Sequence, residues 1–206
     1  MPLKIKSRQV EMVHVGLHKT GTSWLQFELF PKLPVNIISN ELLSGRPMRL
    51  TIDDIIDTNE RYHYAKEIKY KYGDVKILLG IRNKPELMNS LYSQYLKGGG
   101  TMIWSIWKHT YLNWSYLNYE AYIQYLSNKF SDVKVYRYED FRDRKEQFVK
   151  ELCDWLGCDV PKYSDYPVNK GLTTKQKLNY LWKSNIRNMK FYLRGLMNDN
   201  RPSDWS

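Results

Sequence analysis

The stretch from Val13 to Gln26, VHVGLHKTGTSWLQ, constrains this chain more than any other. Met12 to Val15 reads as a short apolar strand that runs into Gly16. A tight loop, Leu17-His18-Lys19-Thr20-Gly21, follows. The segment from Thr22 to Phe30 then reads as a short helix stopped by Pro31. A strand, a Gly-rich turn and a helix in that order make a cradle for phosphate. The glycines let the backbone approach an anion closely. The first N–H groups of the helix have no intrahelical acceptor, and Lys19, Thr20, Thr22 and Ser23 add charge and hydroxyl donors. Gly16 and Gly21 have the separation of the G-x-x-x-x-G-K-[ST] loop, but Thr22 stands where that pattern needs Lys. The basic residue, Lys19, comes two positions before the second glycine instead.

The rest of the chain supplies the sheet such a loop needs. Val75–Ile81, VKILLGI, is almost continuously apolar, as expected of a parallel strand covered on both faces. VNIIS (Val35–Ser39) and VKVYRY (Val133–Tyr138) read as further strands. Helices are expected from Asp53 to about Lys71, from Pro85 to the Gly98-Gly99-Gly100 stop, from Tyr119 to Phe130, and from Asp143 to Leu156 before Gly157. A basic, aromatic helix is expected from Thr173 to about Leu196. Strands alternating with helices imply an α/β fold, a P-loop-like three-layer domain with a central parallel sheet. We read the 206 residues as one domain, with a core at about 10–172 and a basic helical extension over 173–206.

Composition narrows the partners. Hydrophobic residues make up 42% and charged residues 26%, which suits a folded core and excludes a disordered chain. The net charge of +10 favours an anionic partner. Cys153 and Cys158 lack metal-ligand spacing and read as reduced. The polar N-terminus shows no secretory signal, and no apolar run approaches a membrane span, so a cytoplasmic location is expected.

A second constellation lies in IRNKPELMNSLYSQYLKGG. Arg82 ends a strand, and Ser90 sits eight residues on, two turns into the next helix. A cation and a hydroxyl so placed can converge on one phosphate. The loop G-x-x-K-T-G-T-S resembles the 5′-phosphosulfate loop of the sulfotransferases that use 3′-phosphoadenosine 5′-phosphosulfate. The Arg82–Ser90 pair resembles their 3′-phosphate site, although Pro85 follows Arg82 by three residues where the family commonly has two. VYRYEDF, Val135–Phe141, resembles a segment ending a core strand in that family.

The resemblance implies a residue set. His18, Lys19, Thr20, Gly21, Thr22 and Ser23 would hold the 5′-phosphosulfate, and Arg82 with Ser90 the 3′-phosphate. Lys170 and Gly171 match a Lys-Gly or Arg-Lys-Gly loop that often closes on the nucleotide 3′-phosphate in that family, with Asn169 in place of the Arg. Lys19 would neutralise the departing phosphate. Glu41, just past the second strand, matches the region of the catalytic Glu in glycan sulfotransferases, with Asn40 where they often have Lys. His109 is the competing base, at a place comparable to the His of cytosolic small-molecule enzymes. Trp104, Trp107 and His109, in the aromatic segment Thr101–Tyr116, would meet the acceptor, a glycan or small hydroxylated molecule. The resemblance implies transfer of a sulfuryl group from the nucleotide to an acceptor oxygen or nitrogen, a reaction that needs no metal; no nucleic-acid partner is expected.

Two other classes remain open from sequence. A P-loop nucleotide kinase or other phosphotransferase shares the fold but wants Lys after Gly21 and a metal-binding carboxylate. A non-enzymatic binder of an anionic polymer accounts for the charge but leaves the loop unexplained.

Overall fold

Four short strands assemble in the order β2-β1-β3-β4, all parallel: β1 (Met12–His14), β2 (Ile37–Ser39), β3 (Lys76–Ile81) and β4 (Val133–Arg137). The structure is a computed structural model that describes residues 9–165 and 172–199. Strand residues alternate between two cores, as the period of two requires. Val13, Ile77 and Leu79 join Ala65, Leu91, Tyr122 and Leu126 on one face. Met12, Leu78 and Tyr136 join Trp24, Leu29, Phe148 and Leu152 on the other. The helices around the sheet are α1 (Thr22–Trp24), α2 (Glu60–Tyr72), α3 (Lys84–Lys97), α4 (Trp104–Thr110), α5 (Tyr119–Lys129), α6 (Tyr138–Asp143), α7 (Lys145–Leu156) and α8 (Thr174–Asp199). Helices of α2, α3 and α5 cover the first face; α1, α6 and α7 cover the second. This is the expected α/β arrangement, a central parallel sheet flanked by helices.

Three expected boundaries move, each for a local reason. The helix expected from Asp53 begins only at Glu60. Ahead of it, Asp54 accepts from the Leu50 N–H and the Arg46 guanidinium, and Asp57 accepts from the Asn59 N–H. Such short-range bonds compete with a helix, and Ile55 is left 84% exposed. The helix after the loop starts at Thr22 but widens to a π turn at Leu25–Leu29 and tightens to a 3₁₀ turn at Phe30–Lys32. Pro31 has no N–H for the Phe27 carbonyl, so a regular ladder cannot pass it. The helix expected from Asp143 is preceded by α6, with the chain bending at Arg144 (φ −136°, ψ 46°).

Arg61, only 3% exposed, ties α2 to the turn at Trp114–Leu117. Its guanidinium donates to the Ser115, Tyr116 and Asn118 carbonyls and lies 4.7 Å over the Tyr122 ring. Arg61→Leu keeps bulk but strands buried carbonyls. A loss of about 1–3 kcal/mol is expected in urea unfolding. An unchanged midpoint would show that water replaces the guanidinium.

Candidate active site

The loop after β1 is held by the neighbouring strand. The Val15 N–H donates to Leu78 O at 3.0 Å, and the Leu17 N–H donates to Gly80 O at 3.1 Å. Pairing with β3 therefore continues almost to the turn. Gly80 is required there: a Cβ would lie 2.5 Å from the Tyr136 ring and 2.7 Å from Thr20 Oγ1. The Tyr136 hydroxyl donates to Thr20 O, and the Thr20 hydroxyl donates to Leu17 O. Gly21, at φ 90°, caps α1 with the Phe141 ring in its Cβ space. Lys19 takes a left-handed conformation, φ 67°, which costs a non-glycine residue about 1 kcal/mol. Such strain persists only where the surroundings impose it. Here Arg82 grips the strained residue, donating to Lys19 O at 3.0 Å.

This folding gathers the residues that the sequence scattered. A cleft of about 120 Å³ is lined by Lys19, Gly21, Thr22, Ser23, Glu41, Arg82 and Ser90, with Trp24 and Tyr138 completing its wall. Asn40 caps the short turn Glu41–Ser44 by accepting from the Leu42 N–H, which fixes Glu41 at the end of β2. The Arg82 guanidinium stacks 4.2 Å over Tyr138 and donates to Glu86 at 3.3 Å. Thr22 Oγ1 and Arg82 Nε are buried without a partner among the described residues. Buried donors are ordinarily satisfied. A hydroxyl and a guanidinium left wanting beside an ammonium fit an anionic group.

Electrostatics sharpen the picture. Burial pushes the Lys19 ammonium below its ordinary pKa; Glu41 opposes that shift, and Lys97 and Arg82 reinforce it. Burial pushes Glu41 up, against the pull of Lys19. A carboxylate held above its usual range is suited to accept a proton. His18 falls to about 4, through burial and then the Lys19 charge, so it is neutral near pH 7. Its Nε2 lies 3.9 Å from Glu41 Oε1, too far for a hydrogen bond.

The protons around His18 follow from donor counting. Ser44 Oγ spends its proton on Glu41 O at 2.7 Å. The Tyr116 hydroxyl, 3.0 Å away, must then donate to Ser44 Oγ. Its oxygen accepts from the His18 backbone N–H at 2.9 Å. The second 2.9 Å contact therefore carries the proton on His18 Nδ1. Nε2 is left as a lone pair facing Glu41. Tyr116 thus joins the loop to the turn that carries Glu41.

Other expected residues lie elsewhere. Trp107 is 0% exposed, inside a stack with Trp104 at 5.4 Å and Tyr92 at 5.1 Å. It has no surface to offer an acceptor, so its expected role is replaced by one in the core. Trp104 is half-buried in the same stack and packs against that core. His109 is exposed on α4, 6.5 Å from the Trp114 ring, and is not among the residues lining the cleft. Lys170 and Gly171 lie outside the described residues. Among the described residues, no group of three or more His, Cys, Asp or Glu is placed to hold a metal. Nothing in the sequence marks Tyr116, Ser44 or Trp24 as part of the site. Tyr116 lies 98 residues from the histidine it holds, a separation with no local signature.

No protein-family model and no curated protein matches this chain. Solved structures do. A sulfotransferase from Alicyclobacillus acidocaldarius superposes with a TM-score of 0.56 at 18% identity, over 85% of this chain and 92% of that one. Mouse sulfotransferase SULT7A1 complexed with PAP gives 0.44 at 14% identity, over 88% of this chain and 66% of that one. The likeness to the bacterial structure establishes a shared P-loop-like α/β fold.

Proposed function

We propose that the chain is a sulfotransferase, moving a sulfuryl group from 3′-phosphoadenosine 5′-phosphosulfate to a hydroxyl or amine of a carbohydrate or glycolipid acceptor. The observation that carries this reading is the convergence of Lys19, Gly21, Thr22, Ser23, Arg82 and Ser90 with Glu41 on one cleft; Thr20 and His18 do not line it, and the Thr20 hydroxyl is spent on Leu17 O. The shared fold supports it, as does the resemblance of the loop to the phosphosulfate loop.

The donor would supply an activated sulfur whose leaving group is a phosphate. Lys19, with the first N–H groups of α1, would neutralise charge on that phosphate as its bond to sulfur breaks. Thr22 and Ser23 would hold its oxygens, and Arg82 with Ser90 the 3′-phosphate. Glu41 would take the proton from the acceptor as the new bond to sulfur forms. Arg82, already gripping Lys19 O, would couple the two phosphate sites.

A thermal melt tests the reading. Adenosine 3′,5′-bisphosphate without metal, at about 100 times its Kd, should stabilise the fold by about 2.7 kcal/mol. For a chain of this size that raises Tm by about 5–10 °C. A response to Mg·ATP with none to the bisphosphate would instead favour the phosphotransferase.

A further inference from the structure

Helix α8 carries a surface that the cleft does not use. It packs on α3, where Lys177 donates to Asn89 at 2.8 Å, and Asn185 donates to Thr101 O in the loop beyond α3 at 3.3 Å. Leu181 and Ser184 face the body of the protein. On another side, Leu178, Trp182 and Met189 are 62%, 64% and 58% exposed. Their spacing of four and seven residues puts them in one stripe. Lys183 and Lys190 each follow a stripe residue, so they stand about 100° further round the helix. Arg187 stands about 50° further round again, with its guanidinium against Gly99, and all three are exposed. The sequence from Thr174 to Asn198 holds Lys175, Lys177, Lys183, Arg187, Lys190 and Arg194 and no acidic residue.

We propose that this face of α8 docks on an anionic lipid surface, Trp182 and its apolar neighbours entering the headgroup boundary and the lysine strip lying along it. The charge decides among occupants. A second copy of the chain would bring one basic strip against another. A polyanion would use the lysines and leave Leu178, Trp182 and Met189 in water. An anionic bilayer uses both, and Trp is favoured at that boundary. The inference is independent of the proposed reaction.

Vesicle co-sedimentation of the full chain tests it. Vesicles of equal parts phosphatidylcholine and phosphatidylglycerol should retain at least about tenfold more protein than phosphatidylcholine alone. Leu178→Ser with Trp182→Ser should lower retention by about tenfold, and so should Lys183→Glu with Lys190→Glu. These side chains are exposed, so Tm should hold in both variants. Equal retention on both vesicles, or none, overturns the proposal. So does loss in the lysine variant with the Leu178–Trp182 variant unaffected, which marks a polyanion surface. A dimer that the Leu178–Trp182 variant converts to a monomer overturns it too.

Discussion

Glu41→Gln is expected to lower kcat by roughly 10²–10⁴-fold while adenosine 3′,5′-bisphosphate still binds. The amide keeps the shape of the side chain, its place at the end of β2 and the Asn40 cap beneath it. It loses the capacity to take a proton, and with it the negative charge that holds up the pKa of Lys19. The pH profile identifies the group more sharply than the rate does. Burial raises the pKa of Glu41 above the ordinary 4.5 and lowers that of Lys19 below 10.5. As base, Glu41 works when deprotonated, so kcat/KM for the sulfuryl donor falls as pH drops through the raised value. As the cation facing the leaving group, Lys19 would work when protonated, so the same quantity should fall as pH rises through the lowered one. The bell should be narrower on both sides than free carboxylate and lysine predict. His18, at about 4, adds no step near 6.5. In Glu41→Gln the acid limb should vanish. Should the limb survive there and disappear in His109→Ala, the base is His109.

The placement of Glu41 also shows what the sequence could tell. The strand–turn–helix loop is legible because its signature is local: strand, glycines, Lys19 and hydroxyls lie within a dozen residues. The buried strand β3 was legible because a strand covered on both faces has a continuous apolar signature. Arg82 and Ser90 were legible as a pair since a strand end and a helix fix their separation. Trp107 misled because a run rich in Trp reads the same whether its rings face an acceptor or one another. Only the stack against Tyr92 and Tyr95 decides that. Ile55 and Ile56 fit a helical apolar spacing, so a start at Asp53 is what the pattern predicts. The Asp54 and Asp57 side chains bond their own backbone neighbourhood instead. Tyr116 was invisible because its partners, His18 and Ser44, are 98 and 72 residues away.

Lys19→Gly should abolish most turnover without lowering stability. The lysine sits at φ 67° with its ammonium partly withdrawn from water. Both conditions oppose folding, and both are relieved by glycine, which adopts that backbone freely. Against this, glycine loses more entropy on folding, about 0.5–1 kcal/mol, so the net effect on Tm is small or upward. Lys19→Ala removes the same charge but keeps a Cβ in the left-handed region. Relative to glycine it should be less stable by about 1 kcal/mol, or roughly 2–4 °C in Tm. Both variants should lose about 10²–10³-fold in kcat if the ammonium stabilises the departing phosphate. Arg82 bonds the backbone carbonyl of residue 19, which neither substitution removes, so the loop keeps that grip in each. Equal activity loss with separated melting points is the signature of a strained residue kept for its charge. Near-normal turnover in Lys19→Gly would remove the lysine from the reaction, and a lower Tm in glycine than in alanine would show that the left-handed backbone carries no strain.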